Sequence, residues 1–112
     1  MAITAYLDID QGSDFTTIIE LENNDGTPMD LRGFSVYSQF RKSYGSTVAY
    51  QFEASIVDQL NGKISLSLLG TVSSSIRPGR YLYDVELMNG TSSKTRVIEG
   101  IITINPEITK IP

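Results

Sequence analysis

The chain contains no cysteine, no histidine and no tryptophan among its 112 residues. Without cysteine, disulfides, thiolate metal sites and a cysteine nucleophile are excluded, and without histidine the commonest general base is missing. A lack of cysteine is typical of a protein that stays in a reducing cytoplasm or in a particle assembled there. We therefore expect no enzyme activity and no bound cofactor.

Basic clusters and long apolar runs are also missing. Nine Lys and Arg against thirteen Asp and Glu give a net charge of -4. No basic track exists that could neutralise nucleic-acid phosphates or bind an anionic membrane surface. No window approaches the roughly 20 apolar residues of a membrane-spanning helix. The N-terminus, MAITAYLDID, lacks the features of a signal peptide. The sequence therefore predicts a soluble protein with neither nucleic acid nor membrane as a partner.

Turn signals and short β-rich segments occupy the chain instead. Asn-Gly or Asp-Gly occurs in NNDG, LNGK and MNGT, and these residues accept the positive φ that hairpin turns require. We predict one domain over residues 1–112, an all-β, immunoglobulin-like sandwich of about seven antiparallel strands with Greek-key connections and almost no helix. The predicted strands are 2–9, 14–22, 34–42, 48–57, 63–69, 80–88 and 94–104.

Two tyrosines are predicted to lie on the buried side of the strand in PGRYLYDVEL, residues 78–87. Because a buried hydroxyl needs a partner, we expect Tyr81 or Tyr83 to return its hydroxyl to the backbone of the preceding loop, as in a tyrosine corner. In that loop, GTVSSSIRPG, Thr71 is expected to cap a short turn and Ile76 to enter the core.

Two patterns could carry enzymatic chemistry, and each also has a simpler interpretation. Ser92, Ser93 and Lys94 could form a serine-lysine dyad, but they belong to a predicted hairpin loop. Asp84 and Glu86 share the outward face of one strand at about 7 Å, a separation that glycoside hydrolysis can use. A polar outer face is what any such strand shows, so we favour the non-enzymatic interpretation.

The best metal candidate is DIDQGSD, residues 8–14, in which Asp8, Asp10 and Asp14 resemble an oxygen-ligand loop for calcium. Ser13 stands where the turn glycine of that pattern belongs, so we interpret the segment as a solvated turn and predict no metal. NGT at 89–91 matches a glycosylation acceptor, and we interpret it as a hairpin turn.

Three apolar residues are predicted to face outward and are candidates for a subunit interface. On the last strand, the register that buries Ile98, Ile102 and Ile104 turns Gly100 inward and leaves Val97 and Ile101 outside. Ile18 is outward on the second strand. Several such residues on neighbouring strands would make a patch suited to another subunit.

Three segments in order, DGTPMDLRGFSVYSQFRK, NGKISLSLLGTVSSSIRPGRYLYDVEL and VIEGIITINPEIT, resemble the immunoglobulin-like domains of tailed-phage virion proteins. Within this group, the segments are similar to the N-terminal domain of siphophage baseplate upper proteins. The shared features are D-G-T-P-x-D-L, G-x-I-x-L-x-L, P-G-x-Y-x-Y-D-V and E-G-x-I-x-I-x-P-x-x-T, and the resemblance spans residues 14–109. It implies fold-determining roles for Gly26, Pro28, Leu31, Gly79, Tyr81, Tyr83, Asp84 and Gly100.

The resemblance implies a structural protein of the baseplate, tail or neck, assembled into the virion in the host cytoplasm. Its partners would be other virion proteins or further copies of itself. The alternative is a carbohydrate- or receptor-binding module for a host surface, with Tyr6, Tyr44 and Tyr50 as stacking residues. That alternative requires the three rings to be exposed in one concavity. An enzyme would require a pocket that gathers Asp84 with another carboxylate.

Overall fold

The computed structural model describes residues 3–90 and 93–109, which form strands in two sheets and, in those stretches, one helix of four residues. No helix in those stretches is long enough to cross a membrane. The elements are β1 (Ile3–Thr4), β2 (Leu7–Asp10), β3 (Phe15–Glu20), β4 (Phe34–Arg41), β5 (Tyr50–Gln51), β6 (Glu53–Asp58), β7 (Lys63–Leu68), α1 (Gly70–Ser73), β8 (Gly79–Asn89) and β9 (Ser93–Asn105).

Six strands form one sheet and three form the other. In the larger sheet the order is β1-β9-β8-β4-β5, with β2 also paired to β9, and in the smaller it is β3-β7-β6. This arrangement confirms the prediction of an all-β, immunoglobulin-like sandwich. Ser92 of the dyad candidate and Thr91, the third residue of the NGT glycosylation motif, lie outside the described residues, as does the predicted start of the first strand at Ala2.

The first predicted strand is divided in two and runs parallel to β9, so the expectation of purely antiparallel pairing is wrong at this edge. Ile3 of β1 pairs with Ile98, and Leu7 of β2 pairs with Ile102. Between them the Ala5 amide donates to the Glu99 carbonyl at 3.0 Å, and the Ala5 carbonyl accepts from the Tyr83 hydroxyl at 3.0 Å. Ala5, which lies between β1 and β2, is therefore held to the sheet through both of its backbone polar groups.

The predicted strand 48–57 is also divided, because the chain passes from one sheet to the other at Phe52. The Phe52 amide donates to the Ser38 carbonyl of β4 at 3.1 Å, while the residues after it pair with β7. The Phe52 ring is buried, and its centroid lies 5.0 Å from that of Phe40 and 6.4 Å from that of Tyr83. Aromatic packing of this kind stabilises the crossing between sheets.

The core between the sheets follows the period of two that the sequence shows. Ile64, Leu66 and Leu68 of β7 belong to the same buried core cluster as the inward residues of β8 and β9. Ile76 is buried as predicted. Each such side chain contributes about 1.5–3 kcal/mol relative to full exposure, so the sandwich is stabilised chiefly by this apolar layer.

Val97 is buried, so its predicted outward orientation is wrong. The register of β8 with β9 shifts between Val85, opposite Ile98, and Glu86, opposite Arg96. Val97 is the extra residue of this β-bulge, and both Val97 and Ile98 lie in the core, at 7% and 1% exposure. A bulge interrupts the alternation of faces, and the residues that precede it therefore change faces.

The loop before β8 contains the predicted tyrosine corner but not the predicted cap. The Tyr81 hydroxyl donates to the Arg77 carbonyl at 2.6 Å, which confirms the corner. No side chain within α1 or at its N-cap, Leu69, caps the helix, so the expectation for Thr71 is wrong. Instead, Asp14 accepts from the Gly70 amide at 2.7 Å, because the turn between β2 and β3 lies against this helix.

A candidate binding cleft on the six-stranded sheet

A cleft of about 410 Å³ opens on the outer face of the six-stranded sheet. Its apolar floor consists of Leu82 of β8 and Ile101 of β9, which lie directly opposite each other. Beside this pair runs a polar row in which Gln39, Asp84 and Glu99 are cross-strand neighbours. Both rows face outward because they alternate with the buried residues of the same strands.

Two exposed tyrosines line this cleft, which we call the tyrosine cleft. Tyr6 lies between β1 and β2 at one side of the sheet, and Tyr44 lies in the loop from β4 to β5 at the other. They are 71% and 81% exposed. Arg41 donates to the Ser46 carbonyl at 2.7 Å and so supports the loop that carries Tyr44. The two rings therefore stand on separate, backbone-anchored segments.

The charged side chains of the tyrosine cleft are organised around Arg96. Its Nε donates to Asp84 Oδ2 and its Nη1 to Glu99 Oε2, each at 3.1 Å. The Asp84 charge, assisted by Glu99, raises the pKa of Arg96. Exposed ion pairs stabilise a fold by at most about 1 kcal/mol, so the effect of these bonds is to fix the three side chains in position.

The tyrosine cleft combines carboxylates with apolar and aromatic side chains. Asp84 does share the tyrosine cleft with Glu86 and Glu99, as an enzymatic site would require. Asp84 and Glu99 are both bound to Arg96. An apolar floor, aromatic walls and fixed polar groups are the features of a recognition site.

The three interface candidates do not form one patch. Ile101 lies in the tyrosine cleft, whereas Ile18 is exposed on the three-stranded sheet and Val97 is buried. Of the three stacking candidates, Tyr6 and Tyr44 share the cleft and Tyr50 does not. Tyr50 packs against the core, with its centroid 5.3 Å from that of Phe40.

The three aspartates of the metal candidate are engaged separately. Asp10 accepts from the Asn105 side chain at 3.2 Å, Asp14 caps α1, and Asp8 is exposed on β2. Within residues 3–90 and 93–109, no group of three carboxylates is placed to hold a metal ion.

The positions that the family resemblance marks lie mainly in turns and in the core. Gly26 adopts a φ of +87° in a turn, and Pro28 forms an isolated bridge with Glu22. Leu31 is buried, and Gly79 begins β8. Only three of the marked residues, Tyr83, Asp84 and Gly100, also line the tyrosine cleft.

Sequence reasoning missed Arg96 and Glu99 as site residues. Three positions apart on a regular strand, their side chains would point to opposite faces. The bulge at Val97 brings both to the outer face, where Arg96 donates to Glu99 and to Asp84 and all three line the cleft. Arg41 and Gln39 carried a usable signal, because both alternate with buried residues of β4.

The fold and the site define an immunoglobulin-like β-sandwich with an open cleft on one sheet. Neither a protein-family model nor a curated protein matches the chain. Among solved structures it is similar to the Listeria monocytogenes internalin-like protein lmo2027, with a TM-score of 0.51 and 16% identity. The alignment covers 93% of this chain and 28% of that protein. This likeness supports the fold alone.

Proposed function

We propose that the chain is a non-enzymatic structural protein of a tailed-phage virion, assembled in the host cytoplasm, which binds another virion protein through the tyrosine cleft. The observation that carries the binding role is the pair of exposed rings, Tyr6 and Tyr44, beside an apolar floor. Tyrosine and arginine are enriched at the residues that dominate protein-protein affinity. The assignment to a virion rests on the sequence resemblance over residues 14–109.

The charges of the tyrosine cleft favour a protein partner. Three carboxylates, Asp84, Glu86 and Glu99, line it with two guanidinium groups, Arg41 and Arg96. A nucleic acid would meet net repulsion there. A polypeptide can offer groups of both signs and apolar side chains for the floor, as protein interfaces commonly do.

The test combines two substitutions with a matched control. Tyr6→Ala with Tyr44→Ala removes both walls of the cleft. Tyr37→Ala removes a tyrosine that is 48% exposed on the same sheet but does not line the cleft. We expect mass spectrometry of purified phage particles to find the wild-type chain and the Tyr37→Ala variant, and to find much less of the double variant. Absence of the wild-type chain from particles refutes the virion role, and normal incorporation of the double variant refutes the cleft.

A second candidate is recognition of a host-surface carbohydrate through the same cleft. It is favoured by the two exposed rings in one concavity, since sugars pack on aromatic faces, and by Gln39 and Asp84, whose side chains can bind hydroxyls. A glycan array with the wild-type chain should then give hits that the double variant loses. If the array gives no hits while the double variant fails to enter particles, the protein partner is supported instead.

A further inference from the structure

β3 is an uncovered edge of the three-stranded sheet. The order β3-β7-β6 places it at one end, and the first strands of the chain, β1 and β2, pair with β9 in the other sheet. In the part of the chain that the structure describes, β7 is therefore the one strand paired with β3. An edge of this kind presents a row of backbone donors and acceptors to which another strand can bind.

The pairing with β7 shows which backbone groups face the open side. The Leu21 amide donates to the Gly62 carbonyl at 2.8 Å, in the same register that pairs Ile19 with Ile64. Antiparallel neighbours alternate in the direction of their amide and carbonyl groups. Odd-numbered residues of β3 thus bond to β7, and the amides and carbonyls of Thr16, Ile18 and Glu20 point away from it.

The other described edges are protected in ways that β3 is not. β1 and β5 have two residues each, and β2 alternates its apolar residues with aspartates. The pairing of β6 with β7 is irregular between Ile56 and Asp58. Edges are usually protected against pairing by being short, bulged or charged. β3, in contrast, has six residues in unbroken register and contains neither proline nor lysine.

We propose that β3 pairs antiparallel with β3 of a second copy of this chain, about a two-fold axis at Ile18. In this register Ile18 faces Ile18 of the second copy, and Thr16 faces its Glu20. Because these are the residues with outward backbone groups, each of the three pairs exchanges two hydrogen bonds. The two small sheets become one continuous six-stranded sheet with the order β6-β7-β3-β3-β7-β6.

Charge favours this register over the one centred on Thr17. Directly opposite residues must share a face, so the axis lies at a residue such as Ile18 or Thr17 and not between two residues. An axis at Thr17 would place Asp14 opposite Glu20 of the second copy, and like charges directly opposite are destabilising. The axis at Ile18 places Glu20 between Lys63 of its own chain, at 3.6 Å, and Thr16 of the second copy.

The burial of residues in the three-stranded sheet also supports a second copy of β3 as the strand that pairs with β3. The inward residues of β7, such as Ile64 and Leu66, are fully buried, whereas Phe15, Thr17 and Ile19 on β3 are only half-buried. Outside, Ile18 is 60% exposed. A second β3 covers this rim and buries Ile18 against its symmetry mate, which contributes favourable cross-strand packing. The inference is independent of the tyrosine cleft, which lies on the other sheet.

The first experiment measures mass by light scattering of the full chain from micromolar to millimolar concentration. We expect a reversible dimer at twice the 12.3 kDa monomer mass. Ile18→Lys places two lysines opposite each other and should weaken the dimer by about tenfold or more. The control is Val57→Lys on β6, an apolar residue of similar exposure, 51%, at the other edge of the same sheet, and it should leave the dimer unchanged.

A second experiment determines the register of the two β3 strands by disulfide cross-linking. Because the chain has no cysteine of its own, each introduced cysteine can form a disulfide only with its copy in the second chain. Ile18→Cys puts two thiols on residues about 5.5 Å apart across a hydrogen-bonded pair, within disulfide reach. Thr16→Cys leaves the two thiols about 13 Å apart. We expect mild oxidation to cross-link Ile18→Cys and not Thr16→Cys. A wild-type monomer throughout the concentration range, a dimer that survives Ile18→Lys, or equal cross-linking of both variants overturns the proposal.

Discussion

Gly100→Ala is expected to destabilise the larger sheet where β9 meets the first strands of the chain. Gly100 lies on β9 opposite Tyr83. A Cβ at this position would overlap the backbone carbonyl oxygen of Ala5 and lie 3.1 Å from Cε1 of Tyr83. Because the obstacle is backbone and not the end of a flexible side chain, the segment at Ala5 must move to admit the methyl group.

That movement has a cost that follows from the contacts of Ala5. Its amide is bonded to Glu99 and its carbonyl accepts from the Tyr83 hydroxyl, and each such bond contributes about 1 kcal/mol. Overpacking costs about 1–3 kcal/mol where the surroundings can shift. We therefore expect Gly100→Ala to lower the free energy of unfolding by about 2–4 kcal/mol. The corresponding fall in Tm is about 8–15 °C for a chain of this length.

The assay is urea unfolding followed by far-UV circular dichroism, with Gly45→Ala as the matched control. At Gly45 an added Cβ meets no atom within 4 Å and the backbone φ is not positive, so alanine there should be neutral or stabilise by up to about 1 kcal/mol. If Gly100→Ala were within about 0.5 kcal/mol of Gly45→Ala, the close approach of Ala5 to β9 would not exist and the reasoning would be wrong.

Three further predictions concern hydrogen bonds and pH. Tyr81→Phe removes the donor to Arg77 and should cost about 1 kcal/mol in urea unfolding; an unchanged midpoint contradicts the tyrosine corner. Asp14→Ala removes the cap of α1 and should cost about 1 kcal/mol, whereas Asp8→Ala should stay within about 0.5 kcal/mol of wild type; equal effects would contradict the cap. Burial raises the pKa of Tyr83 from 10.0 to about 12. The unfolded chain therefore loses this proton first, so Tyr83 contributes fully below pH 10 and its contribution falls by about 2–3 kcal/mol as pH rises from 10 to 12. In the Tyr83→Phe variant, the loss of stability between pH 10 and 12 should be smaller than in the wild type. Identical pH profiles of stability for the variant and the wild type would contradict the raised pKa of Tyr83.

The fold class could be predicted because the face of each strand residue is a local property. Tyr81 and Tyr83 alternate with Leu82 and Asp84 in sequence, and the structure buries the tyrosines and turns the other two outward. Tyr81 also reaches a carbonyl only four residues away, so its partner was within the range of local reasoning. Such features depend on period and turn chemistry, which a sequence displays directly.

The cleft could not be predicted in the same way, because it depends on pairing between distant segments. Tyr6 reaches the cleft because the first strands join β9 in parallel, and no local pattern states which sheet a strand joins. Arg96 and Glu99 share a face only because Val97 is an extra residue. A bulge is decided by the register of two strands and not by the residues of one.

The two proposed surfaces make a joint prediction about avidity. The tyrosine cleft lies on the six-stranded sheet and β3 lies in the other, so dimerisation through β3 leaves both clefts open. A dimer can then engage two partner molecules on a particle surface, and the second contact becomes intramolecular at a high effective concentration. The Ile18→Lys variant should retain the affinity of one cleft but lose this gain.

Surface plasmon resonance can separate the two contributions, with an immobilised virion protein that binds the wild-type chain and not the variant with Tyr6→Ala and Tyr44→Ala. On a sparse surface, the wild-type chain and Ile18→Lys should bind alike, because each contact is single. On a dense surface the wild-type chain should dissociate about a hundredfold more slowly, and Val57→Lys should behave as wild type. Equal dissociation of the wild type and Ile18→Lys on the dense surface would mean that the dimer cannot place both clefts on one surface. The two clefts would then serve separate particles or only one of them would be used, because linkage between sites yields avidity only when geometry permits simultaneous binding.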